Sequence, residues 1–193
     1  MSNKFIKKQL DFIVTNVGIT DIYEIDKIRY GLEVFYGEFS KLIVMILISL
    51  ILDKFLAFLL MITLLMLIRP YIGGSHAKSY MSCMVQSNLS FILIYYSAYL
   101  MPSLNIILQF TFILLCIVVI RKFKPINPLR KTVHTQYNKL KFKDFVTVIL
   151  LMWFIISNIF LPQYYINCGL LIIFYIIIDF LWEVYKHEKK IYS

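Results

Sequence analysis

The sequence predicts an all-α polytopic membrane protein, a bundle of about six transmembrane helices preceded by an amphipathic helical segment. Of its 193 residues, 60% are hydrophobic, and the mean hydropathy is +0.76. Ordinary soluble domains are about 45–50% apolar, so a soluble globular fold is excluded. The apolar residues are gathered into long runs separated by clusters of charge, with only 6 glycines and 5 prolines, which excludes a disordered or collagen-like chain.

The first 38 residues predict two helices. Apolar residues within 5–17 recur at helical spacing with lysines on the other faces, which is typical of an amphipathic helix on a membrane surface. Gly18 is the predicted stop. Asp21, with Glu24 three residues later, predicts the start of a second helix that leads into the bilayer.

Six apolar runs follow, and six spans are the simplest count. The first two runs are separated only by Asp53 and Lys54. The alternative is one long kinked helix, which would leave this charged pair near the membrane centre at a cost of several kcal/mol. The runs are 42–52, 55–68, 89–101, 106–120, 145–161 and 168–181.

The chain carries a formal net charge of +9, and its basic residues predict the orientation in the cell membrane. Lysines and arginines concentrate on alternate connections, whereas the three connections on the other side hold a single basic residue. Because basic segments are retained in the cytoplasm, both termini and the segment after the second span are predicted to be cytoplasmic. The basic segments are 1–41, 69–88, 121–144 and 182–193.

The chain is predicted to form a single integral membrane domain covering residues 1–193. Residues 1–38 are the amphipathic N-terminal helices, 39–181 the transmembrane bundle and 182–193 a charged cytoplasmic tail. No length remains for a separate catalytic domain, so any chemistry must take place in or beside the bundle.

One polar segment, residues 69–83, combines a titratable base with a nucleophile, His76 and Cys83. A thiol attacks a carbonyl efficiently when an imidazole takes its proton. Seven residues of straight α-helix would separate the pair by about 10.5 Å, so the chain must turn between them. The sequence therefore predicts that Pro70 ends the preceding helix, that residues 73–74 turn, and that the next helix begins near Cys83.

Two motifs in this setting resemble those of the accessory gene regulator B (AgrB) family. The first is Gly-x-His-Ala-x5-Cys at 74–83 after the second span, and the second is Lys-Pro-Ile-x-Pro-x-Arg at 124–130 after the fourth. The resemblance covers essentially the whole chain, including the amphipathic N-terminus. The chain departs from the usual family pattern where Pro70 follows Arg69 and in its Gly-Gly-Ser lead before the histidine.

The resemblance implies a bacterial membrane cysteine endopeptidase that processes a precursor peptide, AgrD, into a cyclic quorum-sensing pheromone. His76 and Cys83 fall on the family's catalytic positions, and Arg69 and Gly74 on its positioning residues. Ser75, between Gly74 and His76, is a further positioning candidate. The implied reaction removes the C-terminal tail of the precursor through an acyl-thioester and promotes cyclisation.

Four residues are candidates for substrate binding: Lys124, Arg130, Lys131 and Asp179. The basic loop could attract an acidic peptide tail, although membrane orientation alone also explains its charge. Asp179 lies inside the last apolar run, where an acid is costly unless it is paired. A pair with Arg69 and a position at the membrane interface are both open.

The expected partners are an AgrD-type precursor and a bilayer with anionic headgroups, with no nucleic acid; whether the protein is a monomer or a homodimer is open. No cofactor or metal is expected, since no CxxC or HxxxH pair supports a metal site. Cys116 and Cys168 lie in apolar runs and are predicted to be buried fillers. Two alternatives to the peptidase are a peptide exporter without covalent chemistry and a non-catalytic scaffold.

Overall fold

A computed structural model describes residues 3–74, 80–123 and 136–192. These residues form seven helices and no strand, which confirms the predicted all-α fold. The chain divides into two compact units, residues 1–53 and residues 54–193. The helices are α1 (Asn3–Val17), α2 (Ile22–Ile51), α3 (Phe55–Ile72), α4 (Tyr80–Leu100), α5 (Ile106–Lys122), α6 (Gln136–Phe160) and α7 (Gln163–Tyr192).

The first unit is a pair of helices whose predicted boundaries are confirmed. Gly18 follows α1 with a φ of +72°, a conformation that glycine adopts without steric cost. Asp21 caps α2, because its side chain accepts a hydrogen bond from the backbone N–H of Tyr23 at 3.0 Å. The rings of Phe5 and Tyr36 meet edge to face with centroids 5.3 Å apart. α2 then continues without a break past residue 38.

The connection between α2 and α3 decides between the two interpretations of the first apolar runs. α2 ends at Ile51 and α3 begins at Phe55, so a single long helix through Asp53 and Lys54 is excluded. Asp53 has a φ of +53°, and aspartate is one of the few residues with a side chain that tolerate the left-handed region. The two apolar runs are therefore separate helices.

Each predicted apolar run lies in its own helix, from α2 to α7, to within one residue at its C-terminal end. Among the described residues, four helices are long and apolar enough to cross a membrane, and the chain is accordingly a membrane protein. α5 has 17 residues and so measures about 26 Å, less than the roughly 30 Å hydrocarbon core. The count of six spans stays a prediction. The four are Ile22–Ile51, Phe55–Ile72, Phe142–Phe160 and Gln163–His187.

The second unit is organised around α7, which packs against α3, α4, α5 and α6. Because α7 meets neighbours on several sides, it buries apolar residues around much of its circumference, as expected for a central helix. Its buried apolar side chains include Ile166, Leu170, Ile172, Ile173, Ile176, Ile177 and Phe180.

The prediction that Pro70 ends the helix before the site is wrong. α3 contains Pro70 and continues to Ile72, and Gly73 forms its C-cap with a φ of +91°. Proline removes one backbone N–H and crowds the preceding turn, which bends or weakens a helix without reversing the chain. The left-handed conformation at Gly73 ends this helix. The backbone N–H of Gly73 donates a hydrogen bond to the carbonyl of Arg69 at 2.9 Å.

Candidate functional site

One contact fixes the relative directions of α4 and α7 in the second unit, and another joins α3 to α4. Near one end, the Asn167 side-chain amide donates to the carbonyls of Ala98 and Met101 at 3.2 and 3.0 Å, so the start of α7 meets the end of α4. In the interior, the rings of Phe58 and Phe91 lie 5.7 Å apart and join α3 to α4. From Asn167, α7 runs back along α4 toward its N-terminal end.

These directions place Cys83 and Asp179 at the same end of the unit. Asp179 lies about 18 Å along α7 from Asn167. Cys83 lies about 22 Å along α4 from Ala98. Because α7 packs against α4, the two positions differ by only about one helical turn along the common direction.

Cys83 is the fourth residue of α4, within its first turn, and its side chain is partly buried. The sequence predicts a helix beginning near this cysteine, and the described part of α4 begins at Tyr80. The first turn of a helix presents backbone N–H groups and the positive end of the helix dipole, which favour negative charge there. Such a position suits a group that carries negative charge during a reaction.

Arg69 and Asp179 form an ion pair at this end, with Nη2 and Oδ2 3.1 Å apart. Arg69 belongs to the last turn of α3, and Asp179 to the second half of α7. The side chain of Asp179 is 10% exposed and that of Arg69 is 31% exposed, so the pair is largely withdrawn from solvent. Of the two interpretations of Asp179, the structure shows the pair with Arg69.

Gly74 lies directly against this ion pair. A Cβ atom at Gly74 would come within 2.6 Å of Asp179 Oδ2 and 2.8 Å of Arg69 Nε, closer than real Cβ contacts allow. A side chain at this position would displace the Asp179 carboxylate or the Arg69 guanidinium, and glycine allows the backbone to approach both groups closely. The ion pair, the end of α3 and the start of the following connection thus meet at one point.

The same end carries an aromatic and a basic cluster. The ring of Tyr71, between Arg69 and the C-cap of α3, contacts the rings of Phe142 and Phe145 on α6 at 5.6 and 4.7 Å. Arg121 at the end of α5 pairs with Asp144 at 2.8 Å, and both side chains are more than half exposed. The described basic residues of α5 and α6 therefore lie at the same end as Cys83 and the ion pair.

Of the residues singled out by sequence, Arg69, Gly74 and Asp179 are in direct proximity, and Cys83 lies at the same end of the unit. The others lie outside the described residues, so the distance between the predicted catalytic histidine and Cys83 stays a prediction. Those others are Ser75, His76, Lys124, Arg130 and Lys131.

Further features of this region complete the chemical inventory. Cys116 and Cys168 are buried in α5 and α7, as predicted, and no disulfide joins any of the three cysteines, all of which lie in described helices. Within residues 3–74, 80–123 and 136–192, no three His, Cys, Asp or Glu side chains are grouped to hold a metal ion. The contact of Tyr71 with α6 was not predicted; its only sequence signal is an aromatic residue in a polar segment.

Comparison with known proteins identifies relatives over most of the chain. A family model described as Accessory gene regulator B matches residues 6–185. A putative AgrB-like protein of Clostridium beijerinckii is 31% identical over 153 residues, covering 79% of this chain and 75% of that protein. Accessory gene regulator protein B of Staphylococcus aureus strain bovine RF122 / ET3-1 is 28% identical over 149 residues, covering 75% of this chain and 76% of that protein.

A further match covers less of both chains. Accessory gene regulator protein B of Staphylococcus aureus strain JH9 is 36% identical over 88 residues, which is 46% of this chain and 44% of that protein. No solved structure matches the chain.

Proposed function

The chain belongs to the accessory gene regulator B family, and on that premise we propose that it is a membrane cysteine endopeptidase acting on an AgrD-type precursor peptide. Family membership places it in the agr quorum-sensing system. The observation that carries the proposal is the position of Cys83 in the first turn of α4, at the same end of the unit as Gly74. Gly74 precedes His76 by two residues.

Chain connectivity supports a role for His76 beside Cys83. Two peptide units limit the distance between the Cα atoms of Gly74 and His76 to about 7.6 Å. Gly74 is held against Arg69 and Asp179 at the Cys83 end of the unit. The proposal is that the imidazole attached close to that point reaches the thiol of Cys83.

In the proposed first step, His76 takes the thiol proton of Cys83, and the thiolate attacks the carbonyl carbon of the scissile peptide bond. The carbon–nitrogen bond then breaks as His76 returns a proton to the departing amine, and the C-terminal tail leaves. Negative charge on the tetrahedral oxygen is favoured by the N-terminal end of α4. The pheromone segment remains attached to Cys83 as an acyl-thioester.

In the second step, an internal nucleophile of the peptide, typically a cysteine thiol, attacks this thioester. One carbon–sulfur bond forms and one breaks, the released Cys83 sulfur regains a proton, and the peptide closes into a ring. Because one thioester is exchanged for another, the net change in bond energy is small and no ATP is required. Water attacking instead would release a linear peptide.

Substrate binding is proposed at two surfaces. The amphipathic α1 offers a membrane-surface helix beside which an amphipathic substrate helix can lie. Lys124, Arg130 and Lys131 supply positive charge for an acidic tail. Arg121 and Lys122, the described basic residues that precede that segment, are exposed at the end of the second unit that holds Cys83 and the ion pair.

Capture of the thioester tests the proposal. Purified protein in proteoliposomes, mixed with its cognate precursor, is expected to form an adduct with the mass of the pheromone segment on Cys83. Neutral hydroxylamine should release this adduct, because it cleaves thioesters and leaves peptide bonds intact. Precursor cleavage with no adduct, in the wild-type protein and at short reaction times, would contradict the acyl-thioester route.

The end of the second unit that holds Cys83 and the ion pair is proposed to face the cytoplasm. Its described basic residues are predicted to be cytoplasmic by the positive-inside rule. Single cysteines at Lys122 and Lys54, both exposed, are the test in a background with all native cysteines replaced by alanine. A membrane-impermeant maleimide added to intact cells is expected to label Lys54→Cys and spare Lys122→Cys. The opposite pattern would invert the topology.

A further inference from the structure

The ion pair between α3 and α7 joins three parts of the second unit at one carboxylate. Asp179 Oδ2 lies 3.1 Å from Arg69 Nη2, and 2.6 Å from the point where a Cβ of Gly74 would stand. Asp179 is thereby the α7 side chain that meets both the last turn of α3 and the backbone leaving that helix. The carboxylate is 10% exposed, so water competes little for it.

We propose that Asp179 is a positioning residue whose ion pair with Arg69 holds the Gly73–Gly74 turn in place. The inference rests on the proposed function, because the turn matters through the chain that continues from it to His76. α3 ends in a left-handed glycine, Gly73, which by itself allows many exit directions. Contact of Gly74 with the paired side chains selects one of them.

This role differs from the substrate-binding role predicted for Asp179. A carboxylate that binds substrate would affect the concentration of precursor needed for half-maximal rate. A carboxylate that positions the turn would affect the reacting groups in both free and substrate-bound protein. Misplacement of a catalytic group by about 1 Å can lower a rate by about 100-fold, so the expected loss is in kcat.

The test compares Asp179→Asn with Asp144→Asn in proteoliposomes. Asp144 is a matched control, since it also pairs with an arginine at the same end of the unit but is 62% exposed. Asp179→Asn is expected to lower kcat for precursor cleavage about 10- to 100-fold with KM changed less than about 3-fold. Asp144→Asn should keep the wild-type values.

A second readout needs no precursor. In a Cys116→Ala, Cys168→Ala background, the rate at which iodoacetamide alkylates Cys83 reports on whether an imidazole assists the thiol. Asp179→Asn is expected to slow alkylation toward the rate of His76→Ala, whereas a merely structural or substrate-binding role would leave that rate unchanged. An unchanged kcat, or a change confined to KM, would overturn the proposal.

The double variant Arg69→Gln, Asp179→Asn covers the case in which a single unpaired charge prevents folding. Removing both charges avoids leaving one of them unpartnered away from solvent. The folded double variant is expected to share the low kcat of Asp179→Asn. A wild-type kcat in the double variant, or failure of both variants to fold, would show that the ion pair has only a structural role and would overturn the proposal. The proposed function has a separate test, since cleavage of the precursor by Cys83→Ala would contradict the peptidase proposal itself.

Discussion

Replacing Cys83 with alanine is expected to abolish cleavage of the precursor while the protein still inserts into the membrane and folds. The sulfur atom of this thiol forms the bond to the scissile carbonyl carbon, and the methyl group of alanine cannot act as a nucleophile. Cys83 is only partly buried in the first turn of α4, so its removal leaves the packing of the unit largely intact. His76→Ala should cause a comparable loss, since the thiol then lacks its base.

Cys116→Ala and Cys168→Ala are the matched controls for this experiment. Both thiols are buried, Cys116 in α5 and Cys168 in α7, and truncating either should cost about 1–2 kcal/mol of stability. Precursor processing by each variant is measured by mass spectrometry in proteoliposomes, after size-exclusion chromatography has shown that the protein is folded. Robust cleavage by Cys83→Ala would end the cysteine-peptidase proposal and favour the exporter alternative.

The limits of the helices show what sequence patterns can predict. Asp21 and Gly18 mark helix ends because capping and left-handed conformations are local properties of a few residues. The apolar run at 168–181 underestimates α7, which covers Gln163–Tyr192. Hydropathy detects only the part of a helix that meets lipid or protein, whereas backbone hydrogen bonding continues through polar residues until a breaker intervenes. Pro70 shows the opposite error, since it lies within α3.

The arrangement of the candidate site was only partly predictable. Cys83 near a helix start followed from its seven-residue separation from His76, a local argument. Arg69 and Asp179 are 110 residues apart, and only the packing of α3 on α7 brings them into contact. Sequence therefore left two interpretations of Asp179 open. The close approach of Gly74 to this pair depends on the same tertiary contact and has no signal in the sequence beyond the glycine itself.

Gly74→Ala is expected to lower precursor cleavage about 100-fold, the second large effect that follows from the site. The added methyl group would lie 2.6 Å from Asp179 Oδ2 and 2.8 Å from Arg69 Nε, and Gly74 is itself buried. Either the two side chains separate or the backbone turn shifts. A backbone shift moves the chain that leads to His76, whereas separation of the two side chains removes the contact proposed to hold that chain in place; the Cys83 thiol stays chemically intact in both cases.

Gly31→Ala is the matched control, because a Cβ at Gly31 in α2 meets nothing within 4 Å. That substitution should leave cleavage unchanged and favour the helix by about 1 kcal/mol. The initial cleavage rate is measured for both variants and for Gly74→Ala combined with Asp179→Asn. If Gly74 and Asp179 act as one unit, the combined loss will be no larger than the greater single loss, since either change already releases the turn. Losses that multiply would show that Gly74 acts independently of the ion pair, and a wild-type rate in Gly74→Ala would show that the close approach has no bearing on catalysis.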